Sequence, residues 1–153
     1  MPPIFCFDDQ GSAISIPADQ FAYCPAVYGV FIENSRVLLL HNSRTNLKQL
    51  PGRLLKPHET PGGVLRQHFQ QATGIRPVSG PMLYAEELYR LDEKGKAWQV
   101  SALYYILSRP ADSSANLTLS PNGLEPELMP LSGLSRNQLL FGYEAILAGS
   151  RAW

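Results

Sequence analysis

Short apolar runs and alternating apolar positions dominate the first hundred residues, so the pattern predicts strands before anything else. Residues 4–7 and 13–16 are apolar-rich and are joined across Asp8-Asp9-Gln10-Gly11, which predicts an N-terminal hairpin over 4–16. The stretch AVYGVFIENSRVLLLHN predicts two strands, 26–33 and 36–41, around an Asn34-Ser35 turn. Both are so densely apolar that they fit a sheet covered on two faces. Two more strands are expected near 82–91 and 98–108, separated by the turn-forming Asp92-Glu93-Lys94-Gly95.

The period changes over 61–73. Leu65, Phe69 and Ala72 fall at i, i+4 and i+7, the buried stripe of an amphipathic helix. Thr60 offers an N-cap oxygen, Pro61 suits the first helical position, and Gly74 stands where a left-handed C-cap belongs. Gly62 and Gly63 oppose this helix by roughly 0.8–1 kcal/mol each. A bare helix N-terminus open to a phosphate, a close backbone contact, or simple tolerance of the two residues accounts for them.

Residues 50–56 read as a loop, because Pro51-Gly52 and Lys56-Pro57 block regular continuation. The Ser- and Asn-rich stretch 111–123 reads as a mobile loop. A last helix is expected over 135–148, opening at Ser135 and placing Leu139, Leu140, Tyr143, Ile146 and Leu147 on one face. The order strands, helix, strands, helix predicts one α/β domain over 1–153, with a mixed sheet between helices.

Composition narrows the partners. Thirteen basic residues balance thirteen acidic ones, so there is no basic footprint for a nucleic-acid polymer or an acidic membrane. The apolar runs, Val37 to Leu40 among them, are far too short to span a bilayer, and the first residues lack a signal-peptide pattern. Cys6 and Cys24 match no metal or redox spacing and are expected as small buried hydrophobes of a reducing compartment, which points to the cytoplasm.

The candidate chemistry lies in LPGRLLKPHETPGGVLRQHFQQATGI, residues 50–75. With its helix and caps in place, this stretch resembles the Nudix box, G-x5-E-x7-R-E-U-x-E-E-x-G-U, where U is bulky and apolar. Counting back from Gly74-Ile75, the pattern's first Gly falls on Arg53 and its early Glu on Glu59. The Arg falls on Gln67, the next Glu on His68, the U on Phe69, and the paired Glu on Gln71 and Ala72. Glu59, Phe69, Gly74 and Ile75 are kept, and the strands on either side resemble the family's. The segment EPELMPLSGL, 125–134, is similar to the one that precedes the family's terminal helix. The resemblance spans roughly residues 24–147 and implies a Nudix-like α/β/α sandwich, with a degenerate box over 53–75.

What it implies for function follows from the box. Members of that family hydrolyse a nucleoside diphosphate linked to another moiety, using Mg²⁺ or Mn²⁺ held by box glutamates. Positions 68, 71 and 72 lie on one helix face, and three carboxylates there would make an oxygen patch for a hard divalent cation. Here the patch reads His68, Gln71, Ala72, so its charge falls from −3 to about zero. Arg66 is one residue away from the Arg position, about 100° around the helix, and cannot replace it.

The expectation is therefore a Nudix-superfamily relative that binds a small nucleotide-like or diphosphate-containing ligand, with weak or no metal-dependent hydrolysis and no assigned metal or cofactor. Glu59, His68 and Gln71 are then catalytic only by position, and Arg53, Glu87, Tyr104 and Glu125 are candidate ligand contacts. A second expectation is an active hydrolase that recruits Mg²⁺ or Mn²⁺ to Glu59, Glu87 and Glu125. A third is an interaction or dimerisation module without a small ligand. A homodimer is compatible with the resemblance. His41, His58 and His68 match no metal spacing. Tyr84, Tyr89, Trp98, Tyr104 and Tyr105 cluster on two neighbouring strands, where core packing explains them better than stacking on a base.

Overall fold

The strand β3 (Ala22–Glu33) is apolar on both sides because a helix lies on each. Val27 and Phe31 face α1 (Pro61–Thr73), while Ala26, Tyr28 and Val30 face α2 (Tyr143–Arg151). The alternation repeats in β4 (Arg36–Asn42), where Leu38 and Leu40 lie towards α1 and Val37 and Leu39 towards α2. This is the period-2 geometry of a doubly covered sheet. The computed structural model describes residues 2–8, 10–111 and 124–152.

Around β3 and β4 the remaining strands are β1 (Pro3–Phe7), β2 (Ala13–Pro17), β5 (Leu47–Gln49), β6 (Gly52–Leu54), β7 (Val78–Leu91), β8 (Ala97–Ser108) and β9 (Leu124–Pro130). They form one mixed sheet of order β2-β1-β7-β8-β3-β4-β5, with β6 paired to β3 and β9 to β4. β3 runs parallel to β8 in register Ala22↔Trp98 to Phe31↔Leu107, and β7 and β8 form a long antiparallel hairpin. The N-terminal hairpin pairs Pro3↔Pro17 to Phe7↔Ala13 and touches β7 through Phe7↔Arg90.

The helix α1 has the bounds that its caps predict. The Thr60 side chain accepts a hydrogen bond from the Gly63 amide at 3.3 Å, and Gly74 is left-handed with its N–H on the Gln70 carbonyl. Thr73, fully buried, donates to the Phe69 carbonyl at 2.7 Å and accepts from the Ile75 amide at 3.1 Å, so the turn out of the helix leaves neither group unpaired.

Two expectations need correction. Residues 50–56 are not loop throughout, since β6 lies flush on β3 with Val27 opposite Arg53. Gly52 permits this: at φ +150° a Cβ would sit 2.1 Å from the Val27 carbonyl oxygen. Segment 125–134 does precede the terminal helix, and it carries all but the first residue of strand β9, paired with β4 from Asn42↔Leu124 to Arg36↔Pro130. The terminal helix begins at Tyr143 rather than Ser135. Ser135 and Gln138 do form a capping box, but it closes a single 3₁₀ turn. Beyond that turn the chain extends, with Leu140 N–H on the Lys48 carbonyl, and left-handed Gly142 starts α2. From residue 112 onward, the expected polar loop at 111–123 lies outside the described residues.

Candidate functional site

The loop before α1 is built around one ion pair. Arg53 projects from β6 and clamps Glu59 with two hydrogen bonds, Nη1 to Oε1 at 2.9 Å and Nη2 to Oε2 at 2.8 Å. Glu59 Oε1 also accepts from the Lys56 amide at 2.7 Å, closing the turn that carries left-handed His58. The guanidinium first, and the Lys56 amide second, hold the Glu59 carboxyl down at about 2. Both oxygens are thus engaged by the chain itself, and Glu59 works as a brace for the loop.

On the helix, the three positions of interest meet different surroundings. Gln71 is exposed, Ala72 is buried in the α1-side core, and His68 lies between them in exposure. His68 Nδ1 is buried without a hydrogen-bond partner. Burial, and then the charge on Arg53, push the imidazole pKa below its ordinary value. A magnesium or manganese ion needs several hard oxygen donors. This face offers one imidazole, one neutral amide and a methyl group, beside a carboxylate already neutralised by arginine. Those residues do not fit the ion. Among the described residues no group of three His, Cys, Asp or Glu side chains could hold a metal.

The outlying candidates scatter. Glu87 is on the α1 side of the sheet by register but is exposed, and it accepts a hydrogen bond from Ser101 Oγ at 2.7 Å. It lies three strands across from Arg53, about 14 Å along the sheet at usual strand spacing. Glu125 is exposed and pairs in register with His41. It shares the strand face of Met129, which packs on the α2 side, whereas Leu124 and Leu128 pack on the α1 side. Glu59, Glu87 and Glu125 therefore do not converge.

Tyr104 needs the plainest correction as a ligand contact. It is fully buried in the α2-side core, stacked on Tyr28 at 5.6 Å, and its ring has no open face for a base. His41 bonds Asn46 at 3.0 Å and joins neither His58 nor His68. Of the glycine pair, Gly63 is explained by its contact with the cap, since a Cβ there would meet Thr60 Oγ1 at 2.8 Å; Gly62 faces open space. Cys6 is buried and Cys24 half-buried, and both are free thiols.

A cavity of about 490 Å³ opens on the α2 side, between β7 and the chain that leads into α2. One wall is Glu86, Leu88 and Arg90, alternate residues of β7; the other includes Phe141, Gly142 and Tyr143. Glu86 accepts a hydrogen bond from the Tyr104 hydroxyl at 2.7 Å. Burial, and then Glu86, push the Tyr104 pKa up, so that hydroxyl remains a donor. Arg90 lies over the Phe141 ring at 5.1 Å and opposes the rise that burial imposes on the Tyr28 pKa. At the rim Arg136 pairs with Glu144, and Asp8 is occupied by the Gln10 and Ser12 amides. Sequence reasoning chose Glu87 rather than its neighbour Glu86, and passed over Arg90. The available signal was the charged–apolar–charged alternation Glu86-Leu88-Arg90 on one strand face.

Compared by sequence, the chain matches no protein-family model and no curated protein. Compared by structure, it is similar to an ADP-ribose pyrophosphatase from Streptococcus suis, with 10% identity, 84% of this chain and 90% of that chain covered, and a TM-score of 0.64. It is also similar to a MutT protein from Methanosarcina mazei, with 24% identity, 86% and 94% covered, and a TM-score of 0.61. A Nudix hydrolase from Nitrosomonas europaea shares 11% identity over 91% of this chain and 78% of that chain, with a TM-score of 0.61. Identities this low carry the fold and not the chemistry. The chain has the Nudix fold, an α/β/α sandwich around a mixed, curled sheet.

Proposed function

We propose that this protein is a Nudix-superfamily ligand-binding relative, serving in sensing or regulation, whose metal-dependent hydrolysis is weak or lost. The observation that carries this reading is the Arg53–Glu59 clamp beside a helix face of His68, Gln71 and Ala72. The one box carboxylate that remains is neutralised by its own neighbour. No other carboxylate is on the helix to replace it. The ligand class comes from the neighbours, among them an ADP-ribose pyrophosphatase and a UDP-X diphosphatase, whose names point to nucleoside-diphosphate compounds. A cavity of about 490 Å³ is in the size range of small-molecule sites, which favours a ligand over a pure interaction module.

An active hydrolase using Glu59, Glu87 and Glu125 is the weaker reading, because Glu87 and Glu125 lie on different strands and Glu59 in the loop before α1. The test is calorimetric titration with Mg²⁺ and Mn²⁺, then with ADP-ribose, UDP-glucose and GDP-mannose in the presence of a chelator. The expected result is no metal binding, but metal-independent binding of at least one nucleotide. Metal-dependent cleavage of any diphosphate bond in the panel would overturn the proposal, as would failure of every nucleotide to bind.

A further inference from the structure

The α2-side cavity holds an electrostatic feature that the fold leaves unresolved. Glu86 and Arg90 are both half-buried, and among the described residues neither has an ion-pair partner. The other charged groups at the cavity are accounted for: Arg136 with Glu144, and Asp8 with two backbone amides. Glu86 and Arg90 do not pair with each other, because they are four residues apart on one strand face, about 13 Å at the usual rise, with Leu88 between them. Each has some support within the chain, Glu86 from the Tyr104 hydroxyl and Arg90 from Tyr28 and the Phe141 ring, but among the described residues neither charge is balanced by an opposite one, and that is costly to desolvate.

We infer that this cavity binds a flat heteroaromatic molecule carrying adjacent N–H donors on one edge and an anionic group at its far end. Glu86 reads the donors and Arg90 holds the anion. A carboxylate is an acceptor only, with room for about four hydrogen bonds, so the Tyr104 hydroxyl leaves capacity on Glu86 for an incoming N–H pair. That hydroxyl also fixes the carboxylate; Tyr104 is therefore a positioning residue although its ring is inaccessible. Leu88, Phe141 and Tyr143 supply apolar and aromatic surface for the ring. Arg90, set by the Phe141 face and by a hydrogen bond with Tyr28, keeps further guanidinium donors for a carboxylate or phosphate. Within the nucleotide class, this chemistry selects a base with two neighbouring N–H donors, the guanine pattern. It disfavours adenine, which turns a ring-nitrogen lone pair towards the carboxylate.

The ligand class, though not the site, rests on the function proposed above. The probes are GMP, IMP and AMP, which offer two donors, one donor, and a donor beside an acceptor. Calorimetry is expected to rank the affinities GMP, then IMP, then AMP. Glu86→Gln should weaken GMP roughly tenfold or more and flatten the ranking. Arg90→Gln should bring GMP down to the affinity of guanosine while leaving the ranking of bases intact. Thermal melting of each variant checks folding, and amide NMR shifts locate the site without mutation: Gly142 should move on adding GMP, and Gly62 and Gly63 should not. Binding that ignores both substitutions and shifts the Gly62 and Gly63 amides would overturn this inference and leave the proposed function standing. If no nucleotide, with or without a sugar, binds at all, both fall.

Discussion

The two sides of the sheet treat their polar groups in opposite ways. On the α1 side nearly every polar atom with a structural role is satisfied by the chain: Glu59 by Arg53 and Lys56, Thr73 by Phe69 and Ile75, Thr60 by Gly63. His68 Nδ1 is the exception. On the α2 side a cavity is lined by Glu86 and Arg90, which among the described residues have hydrogen-bond or ring partners but no ion-pair partner. The loop that resembles a catalytic box holds its carboxylate in an internal clamp, while the opposite face sets two charges without an ion-pair partner, among the described residues, beside a cavity. Under the function and site proposed above, resemblance to a motif and readiness to bind lie on different faces.

The largest effect should come from the α1-side core. Phe69 is fully buried against Phe31, and Phe69→Ala should cost about 3–5 kcal/mol of stability, measured by denaturant unfolding. A loss well under 1 kcal/mol would mean that the helix is not anchored as described.

An acid titration of stability tests the saturated side more finely. Glu59 is depressed in the folded state to about 2, so its contribution is complete above the ordinary carboxylate range and is lost as pH falls from about 4.5 towards 2. His68 is also depressed, because the folded chain resists charging it. The unfolded chain binds the extra proton first, and stability should decline as pH falls below about 6.5. Thermal melts across pH should therefore show two separate declines, the upper removed by His68→Gln and the lower by Glu59→Gln. A profile that neither substitution alters would break the comparison.

The smallest effect should be on the α2 side. Glu86→Gln keeps an acceptor for the Tyr104 hydroxyl, weakening that bond while relieving a charge without an ion-pair partner, so the opposing effects should leave unfolding free energy changed by about 1 kcal/mol or less. A much larger loss would show that the fold depends on the charge of Glu86 and would remove the contrast between the faces.

Much of the fold was legible in local chemistry. Thr60, Pro61 and Gly74 are strong signals because capping depends on a few atoms close in sequence, and they gave the bounds of α1 to the residue. The Asn34-Ser35 turn was equally readable, with both residues at positive φ. The short strands β5, β6 and β9 were not, because three to seven residues become a strand only when an edge is offered to them. Ser135 gave a real capping signal, but whether its turn propagated depended on Lys48, a residue nearly ninety positions away, taking up Leu140.

The same division runs through the candidate site. The sequence by itself determined that the helix face carries His68, Gln71 and Ala72 and so lacks the charge a divalent ion requires, since side-chain identity and helical spacing fix that much. Only the tertiary structure decided that Glu59 is consumed by Arg53, that Tyr104 lies beneath the surface, and that Glu86 and Arg90 share a cavity with Phe141. Those facts depend on which strands become neighbours and which way each side chain points. No local spacing encodes them.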